Sequence, residues 1–559
     1  MDFKKEIIKL LKKEIKGFDD KLLEVPPNPE MGDYALPCFT LSKIYKKDPK
    51  SIAKDLKNKI KPLSSIEKIL NIGPYLNFFI DLKLKNKYIL EKILKEKNKY
   101  GSHKKKKKKV MIEYSQANTH KAFHVGHLRG TSLGEALARI LKFNGYQVIQ
   151  SNYQGDTGAH VSKWLWYYKK YSNGTPPKGK EGQWLAKIYV NSVKKLKDKP
   201  ELKEEVEKIN YNLEHNKSKE LKALWRRSRK WSLDELNRIY KELDAHFDHF
   251  FFEREMEKRG KEIVNQLLKD KIAKISDGAT IVDLDKLGVW VLLRRDGTIL
   301  YSAKDLALAE KKFNKFKIDN SVYVVGKAQA LHFQQLFKVL HLMKFKQADN
   351  SFHLSFDEVR LPSGKMSSRT GVNILYSDLR DELLDYATNE TKQRHPNWPA
   401  KKIKETAKGI AMTSLKFSMI FQDNNKPIIF DQKQAMAFEG DTGPYILYSH
   451  ARACSILKKT KASTKANLAL LDQPEETNLI NMLGVFPEIV EKGAKEYKPF
   501  HIAKYAIELS HAFNNFYNTN KCITEDKELT KARTLLVKST KQVLANTLNL
   551  LGLKALKEM

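Results

Sequence analysis

Apolar positions recur at helical spacing from the start of the chain: Ile7, Leu10, Leu11 and Ile15 stand among lysines and glutamates, which predicts an amphipathic helix. The Pro26-Pro27-Asn28-Pro29-Glu30-Met31-Gly32-Asp33 segment cannot continue it and reads as a loop. Tyr75 to Ile80 reads as a strand, so residues 1–105 are expected to form a small α+β unit. Val110 to Ser115 is a further short strand. A turn, a helical period through Leu128, Leu133, Leu137, Ile140 and Leu141, and a strand at Tyr146 to Gln150 follow it. Strand, helix, strand predicts the opening of a parallel α/β sheet. From about 173 to 265 a Lys/Glu-rich helical pattern anchored by Trp225, Trp231 and Tyr240 interrupts it and predicts a helical insertion. The α/β pattern then resumes, with hairpin turns expected at Asp277-Gly278 and Asp296-Gly297 and a buried strand at Ser321 to Gly326. Beyond about 400 the pattern is almost wholly helical, which predicts a separate α-bundle at the end of the chain.

Composition narrows the function. At ~150 residues per domain, 559 residues suggest three or four domains. No apolar stretch reaches the ~18 residues a membrane span requires, and Met1 to Asp20 alternates charge with Ile and Leu, so neither secretion nor membrane insertion is expected. Cys38, Cys454 and Cys522 are too scattered for a disulfide framework or a zinc site, which points to a reducing, cytoplasmic setting. The net charge of +37 makes nucleic acid the first partner to consider. The skew of 87 Lys to 16 Arg tempers that inference, because a lysine-biased genome produces it in any protein. Six consecutive lysines, Lys104 to Lys109, repel one another and are expected to form a solvated, extended linker.

Two motifs carry the chemistry. His124-Val125-Gly126-His127 falls where the first strand of the α/β unit turns into its helix. A helix N-terminus there offers unpaired N–H groups to phosphate, glycine lets a base approach the backbone, and two imidazoles can donate to phosphate oxygens. About 240 residues downstream, Pro362-Ser363-Gly364-Lys365-Met366-Ser367-Ser368-Arg369-Thr370-Gly371 is a polar, glycine-bounded loop able to close over a triphosphate. In that order, with an α/β pattern between them, the two motifs resemble the signatures of the class I aminoacyl-tRNA synthetases.

The stretch from Glu113 to Arg129, with Ser115-x-x-Asn118 and Lys121 just before the histidines, is similar to the version of the first signature found in the arginyl-tRNA synthetase family. Further similarity at Asn28 to Leu36, Tyr301 to Asp305, Gln329 and Glu439 to Tyr445 spreads the resemblance over essentially the whole chain, weakest in the insertion. It implies a multidomain α/β fold. Residues 1–105 would be an N-terminal α+β domain contacting tRNA, 106–435 a Rossmann-type parallel-sheet catalytic domain, and 436–559 a C-terminal all-α helical bundle that binds the anticodon. It also implies ATP-dependent activation of L-arginine to arginyl-adenylate and transfer to the 3′ end of tRNA-Arg. Mg2+ would accompany ATP as the substrate complex, with no tightly bound metal or organic cofactor. The resemblance further implies a cytoplasmic enzyme, expected here to be a monomer with no membrane partner.

A guanidinium carries five donors in a plane, so its pocket needs carboxylates and amide oxygens in fixed geometry. Glu113, at the end of the first sheet strand, and Asp305 are the expected carboxylates; for Glu113 a structural ion pair with a lysine is the alternative. By family correspondence Asn118 and Gln329 hold the amino-acid end or orient the acids, Tyr301 walls the pocket and Asp305 meets the guanidinium. Ser115 and His127 belong to the same arginine set. The resemblance assigns the nucleotide to His124, Gly126 and His127 with Lys365, Met366, Ser367 and Ser368, and the catalytic charge to His124, His127, Lys121 and Lys365. Ser368 stands where most class I enzymes have a second lysine, and the resemblance implies that Lys121 supplies the missing cation.

Other candidates are weaker. His246, Asp248 and His249 lie in what reads as a helical pattern with Phe247, Phe250 and Phe251, so packing is expected there, not metal ligation. His332 reads equally as a core or capping histidine or as a nucleotide contact. Tyr448, Phe513, Phe516 and Tyr517 are expected to be mostly core, with one or two free to stack on anticodon bases. A cysteinyl or glutamyl enzyme would replace Glu113 and Asp305 with metal ligands or basic residues. A non-enzymatic RNA-binding descendant would have lost the signatures.

Overall fold

The spacing of Ile7, Leu11 and Ile15 does build a helix, α1 (Phe3–Glu14), whose apolar stripe is buried. It is followed by β1 (Tyr34–Pro37), α2 (Phe39–Tyr45), α3 (Pro49–Lys59), β2 (Ile66–Ile72), β3 (Tyr75–Ile80) and α4 (Leu82–Glu96). The strands form an antiparallel sheet ordered β1-β3-β2. Asp48 and Asp81 start α3 and α4 by accepting the backbone N–H groups of Ser51 and Leu84. The computed structural model describes residues 3–26, 28–179, 181–215, 217–360, 362, 375–460 and 466–559. Contacts divide the chain into one unit of Met1–Tyr100, Ile456–Val485 and Ala512–Val543 and a second of Gly101–Ser455, Phe486–His511 and Leu544–Met559.

The second unit is built on β4 (Lys109–Glu113), α5 (Val125–Phe143), β5 (Gln147–Gln154) and α6 (Ala159–Tyr171). Helices α7 (Glu181–Asp198), α8 (Lys203–Glu214) and α9 (Lys219–Glu242) follow, packed around Trp164, Leu185, Leu221 and Trp225. The chain then returns to the sheet through β6 (His249–Phe252) and α10 (Glu253–Lys269). An antiparallel trio, β7 (Lys274–Ser276), β8 (Ala279–Asp283) and β9 (Val289–Leu293), leads to α11 (Tyr301–Phe316), β10 (Asn320–Gly326), α12 (Ala330–Leu342) and β11 (Ser351–Phe356). The turn between β7 and β8 is Asp277-Gly278, both with positive φ, as the hairpin signal requires. The five main strands run parallel in the order β11-β10-β4-β5-β6. Strand order reverses between β4 and β10, and a doubly wound sheet opens its ligand crevice at the strand ends there.

The structure corrects two expectations. Residues 249–252 are an edge strand of the parallel sheet, so the helical pattern around His249, Phe250 and Phe251 does not hold. A four-residue strand between long charged helices is too short to show its own period, and its aromatic content suits a strand as well as a helix. The lysine run does not float as a linker either. The amides of His103 and Lys106 donate to the carbonyls of Phe143 and Gly145, Gln147 donates to Lys108, and Lys106 stacks 4.4 Å over the Tyr146 ring. The run is extended, but its backbone is fastened to the turn between α5 and β5.

Beyond the sheet come the short pair β12 (Val359–Arg360) and β13 (Ile428–Ile429), with α13 (Tyr376–Arg394), α14 (Ala400–Ile420), α15 (Gln432–Ala435) and α16 (Gly443–Lys459). Helices α17 (Pro474–Gly484), α18 (Phe486–Lys495), α19 (Phe500–Thr519) and α20 (Lys527–Leu550) complete the expected helical end of the chain. Phe513 and Phe516 are fully buried, as core residues should be, while Tyr448 and Tyr517 are exposed. In the second unit the tail turns back on α14: Leu556 packs on Gly409 and its carbonyl meets His450 Nδ1 at 2.7 Å. Lys416, fully enclosed, donates to the carbonyls of Leu243 and Gly552, and burial pulls its ammonium down to about 8.

Candidate active site

The first signature is a helix cap made of imidazoles. His124 is the N-cap of α5, in extended conformation, and its Nδ1 accepts the amide of Gly126 at 3.1 Å. His127, three residues on, accepts the amide of His124 at its own Nδ1, 3.3 Å away, so the two rings reproduce a capping box. The rings stack with centroids 3.8 Å apart. Gly126 is required by this arrangement, since a Cβ there would lie 2.9 Å from the His124 ring. Because both Nδ1 atoms accept, each neutral ring carries its proton on Nε2 and presents a donor. Burial, reinforced by Lys121, holds His124 down to about 4; burial with His124 and Lys121 holds His127 well below the usual range.

The loop between β4 and α5 is strained and tightly held. Ser115, Gln116 and His120 all have positive φ, at 78°, 44° and 62°, conformations that cost of order 1–3 kcal/mol each in non-glycine residues. The anchors come largely from α9, inside the insertion. The Ser115 hydroxyl donates to Tyr240 at 3.1 Å, Ser232 accepts the His120 amide at 3.0 Å, and His120 Nε2 meets the Ser228 hydroxyl at 2.8 Å. Thr119 donates through both its amide and its hydroxyl to the Gly155 carbonyl. Asn118 reaches the same turn, where Gly155 leaves room: a Cβ would stand 2.3 Å from Asn118 Oδ1. Lys121 lies 5.4 Å over the Tyr189 ring, its ammonium lowered by burial and by Lys163.

The acidic end lies at the switch point. Glu113 is the last residue of β4, paired in register with Tyr323 of β10. It is buried and ion-paired with Lys312 of α11 at 2.6 Å, so the lysine partner expected as an alternative is present. Asp305 sits one turn beyond Tyr301 at the start of α11. Its Oδ2 lies 2.7 Å from His332 Nε2, while its Oδ1 is buried without a partner. The Tyr153 hydroxyl on β5 is likewise buried with no hydrogen-bond partner among the described residues. Burial, with the Asp305, Glu253 and Glu113 carboxylates, pushes the Tyr153 hydroxyl far up and keeps it a neutral donor. These vacant atoms can receive a planar, many-donor cation.

Tyr301, which by residue type alone reads as core, is 52% exposed and edge-on to the His332 ring at 4.8 Å. Gln329 precedes α12 and is exposed. Lys365, Met366, Ser367 and Ser368 lie outside the described residues. Three neighbours were missed by the sequence reading: Lys312, Tyr153 and, as the partner of Asp305, His332. A lysine seven residues after Asp305, two turns along one helix face, was the available signal for the first. Among the described residues no group of three or more His, Cys, Asp or Glu side chains could hold a metal ion, and no helix is long and apolar enough to cross a membrane.

Comparison with known proteins finds three family descriptions along the chain. Residues 2–80 match the arginyl tRNA synthetase N terminal domain, 89–432 the catalytic domain of class I (R) tRNA synthetases, and 446–559 the DALR anticodon binding domain. The arginine–tRNA ligase of Clostridium perfringens is 36% identical over 570 residues, and that of Clostridioides difficile 34% over 567, each match covering 100% of both chains. The solved arginyl-tRNA synthetase of Thermus thermophilus superposes with a TM-score of 0.84 at 26% identity, covering 100% of this chain and 99% of that one.

Proposed function

The chain belongs to the class I arginyl-tRNA synthetases and attaches arginine to tRNA using ATP, and from that premise we propose how its residues divide the work. His124 and His127 present their Nε2–H donors to the phosphates of ATP at the N-terminus of α5, where the helix dipole adds to the attraction. Lys121 and the loop carrying Lys365, Met366, Ser367 and Ser368 supply further positive and polar groups. As the arginine carboxylate attacks the α-phosphorus in line, charge builds on the phosphoryl oxygens and these donors stabilise it. Pyrophosphate leaves, and the terminal ribose of tRNA-Arg then takes the arginyl group from the adenylate. Mg2+ enters with ATP as part of the substrate.

Arginine lies against Asp305 and Glu113, with Tyr301 as a wall and Asn118, Ser115, His127 and Gln329 toward the amino-acid end. The buried Asp305 Oδ1, without a hydrogen-bond partner among the described residues and close to Glu113 at the switch point, carries this reading, because leaving it unmatched costs free energy that a bound cation would recover. Residues 1–105 contact tRNA, 106–435 perform the chemistry and 436–559 bind the anticodon. The chain acts as a monomer, and free cysteines with a role in translation fit the cytoplasm. ATP–pyrophosphate exchange with each amino acid in turn, with and without total tRNA, tests the whole. Exchange with arginine alone, stimulated by tRNA, is expected; comparable exchange with lysine or glutamine would overturn the pocket.

A further inference from the structure

Lys312 takes no part in the function described so far, yet its side chain is 0% exposed and ion-paired with a carboxylate placed in the arginine site. Its ammonium lies 2.6 Å from Glu113 Oε2 and 3.8 Å over the Tyr323 ring. A buried lysine loses its hydration, so it is tolerated only with a fixed counter-charge. Of the other acids nearby, Asp156 pairs with Arg229 at 2.9 Å, and Glu253 and Glu257 share the single Lys304 at 3.3 Å each. Asp305 differs: among the described residues its Oδ2 meets the His332 imidazole and its Oδ1 has no hydrogen-bond partner.

We propose that Lys312 is a specificity-determining positioning residue: it cancels the charge of Glu113, holds that carboxylate by Oε2 so that Oε1 is turned to the substrate, and leaves Asp305, which has no lysine or arginine partner among the described residues, to be matched by the bound amino acid. The pocket thereby accepts a single cationic head of guanidinium type, received by Asp305 Oδ1, Glu113 Oε1 and the Tyr153 hydroxyl. Among the described residues Gln116 Nε2 donates to Glu113 Oε1 at 3.4 Å, a bond long enough to yield to a guanidinium. Without Lys312 the Glu113 side chain would lose both its orientation and its counter-charge. The inference rests on Glu113 and Asp305 as arginine ligands.

Steady-state arginylation and thermal melting of five variants of the whole chain test it. Lys312→Met is expected to raise KM for arginine about 10-fold while leaving kcat and KM for ATP within about twofold, and Lys312→Arg to recover most of the loss. Glu113→Gln strands the buried lysine and should melt early. The double variant Glu113→Gln/Lys312→Met should regain that melting temperature but not the arginine KM, which separates folding from binding. An unchanged arginine KM in Lys312→Met, or arginine and ATP constants rising together, would show that Lys312 only fills space. Asp305→Asn is the control for the pocket: if it leaves arginine KM unchanged, the arginine-site reading fails, and Lys312 with it. If it raises KM while Lys312→Met does not, only the Lys312 inference is lost.

Discussion

At the N-terminus of α5 the chain has already used half of each imidazole, since His124 and His127 spend Nδ1 on backbone amides and keep Nε2–H for a ligand. On the floor made by β5 and α11 the opposite holds: Asp305 Oδ1 and the Tyr153 hydroxyl are buried with no hydrogen-bond partner among the described residues. In the reading proposed above, the first region is complete without substrate and offers its donors to phosphates. The second would be completed by a planar cation and would discriminate by leaving its own polar atoms unsatisfied when the wrong amino acid enters. Binding electrostatics and substrate selection are thereby separated along one crevice.

The largest expected effect lies on the incomplete side. Asp305→Asn removes the carboxylate proposed to meet the guanidinium and should lower kcat/KM for arginine by about 2–4 kcal/mol, with KM for ATP much less changed. If both constants moved together, the two regions would not be separable in the way described.

Next comes the phosphate side. Lys121→Ala should slow adenylate formation by ~100-fold, and Ser368→Lys in that background should restore part of the rate, because a loop lysine can supply the same charge. Pre-steady-state adenylate formation measures it directly. Equal rates for Lys121→Ala and the parent enzyme would remove Lys121 from the phosphate site.

A smaller effect tests what holds the two regions together. Tyr240, Ser228 and Ser232 of α9 help hold Ser115 and His120 at positive φ by gripping the loop. Tyr240→Phe removes one hydroxyl and is expected to cost about 0.5–1.5 kcal/mol of stability and to raise the arginine and ATP constants together. A rise in only one of them would tie that hydroxyl to a single end of the site. The insertion would then buttress only that end.

What was legible in the sequence follows the range over which each signal acts. Helices with long apolar stripes and the strands at Val110 and Ser321 showed their own period, and the two signatures are contiguous, so both were readable. The edge strand at His249 was hidden because four residues carry too little pattern. The docking of the lysine run depends on Gly145, forty residues away, where a Cβ would meet the Lys104 carbonyl at 2.1 Å. Lys312 and Tyr153 reach the pocket from different elements, and no local spacing announces such a meeting. The role of α9 was equally invisible, since serines on a charged helix look like solvent-facing residues until the loop they hold is in place.

A further effect, of the same order, concerns protonation at the complete end. His124 titrates near 4 in the folded chain against an ordinary value of about 6.5 in the unfolded one. Between those values the unfolded chain binds a proton that the folded chain refuses, so the stabilising contribution is full above about pH 6.5 and is lost as pH falls toward 4. The ring is partly exposed, which limits the effect to about 1–2 kcal/mol by pH 5. His120, His127 and His160 are depressed for related reasons, burial foremost, so the parent enzyme alone cannot isolate one ring. His124→Asn can, because asparagine caps a helix through its side-chain oxygen and does not titrate. The parent's melting temperature should fall by a few degrees more than the variant's between pH 6.5 and 5, and the two should run parallel above pH 7. Parallel curves throughout would mean that His124 is protonated in the folded enzyme at pH 5, and that its Nδ1 is not committed to the cap.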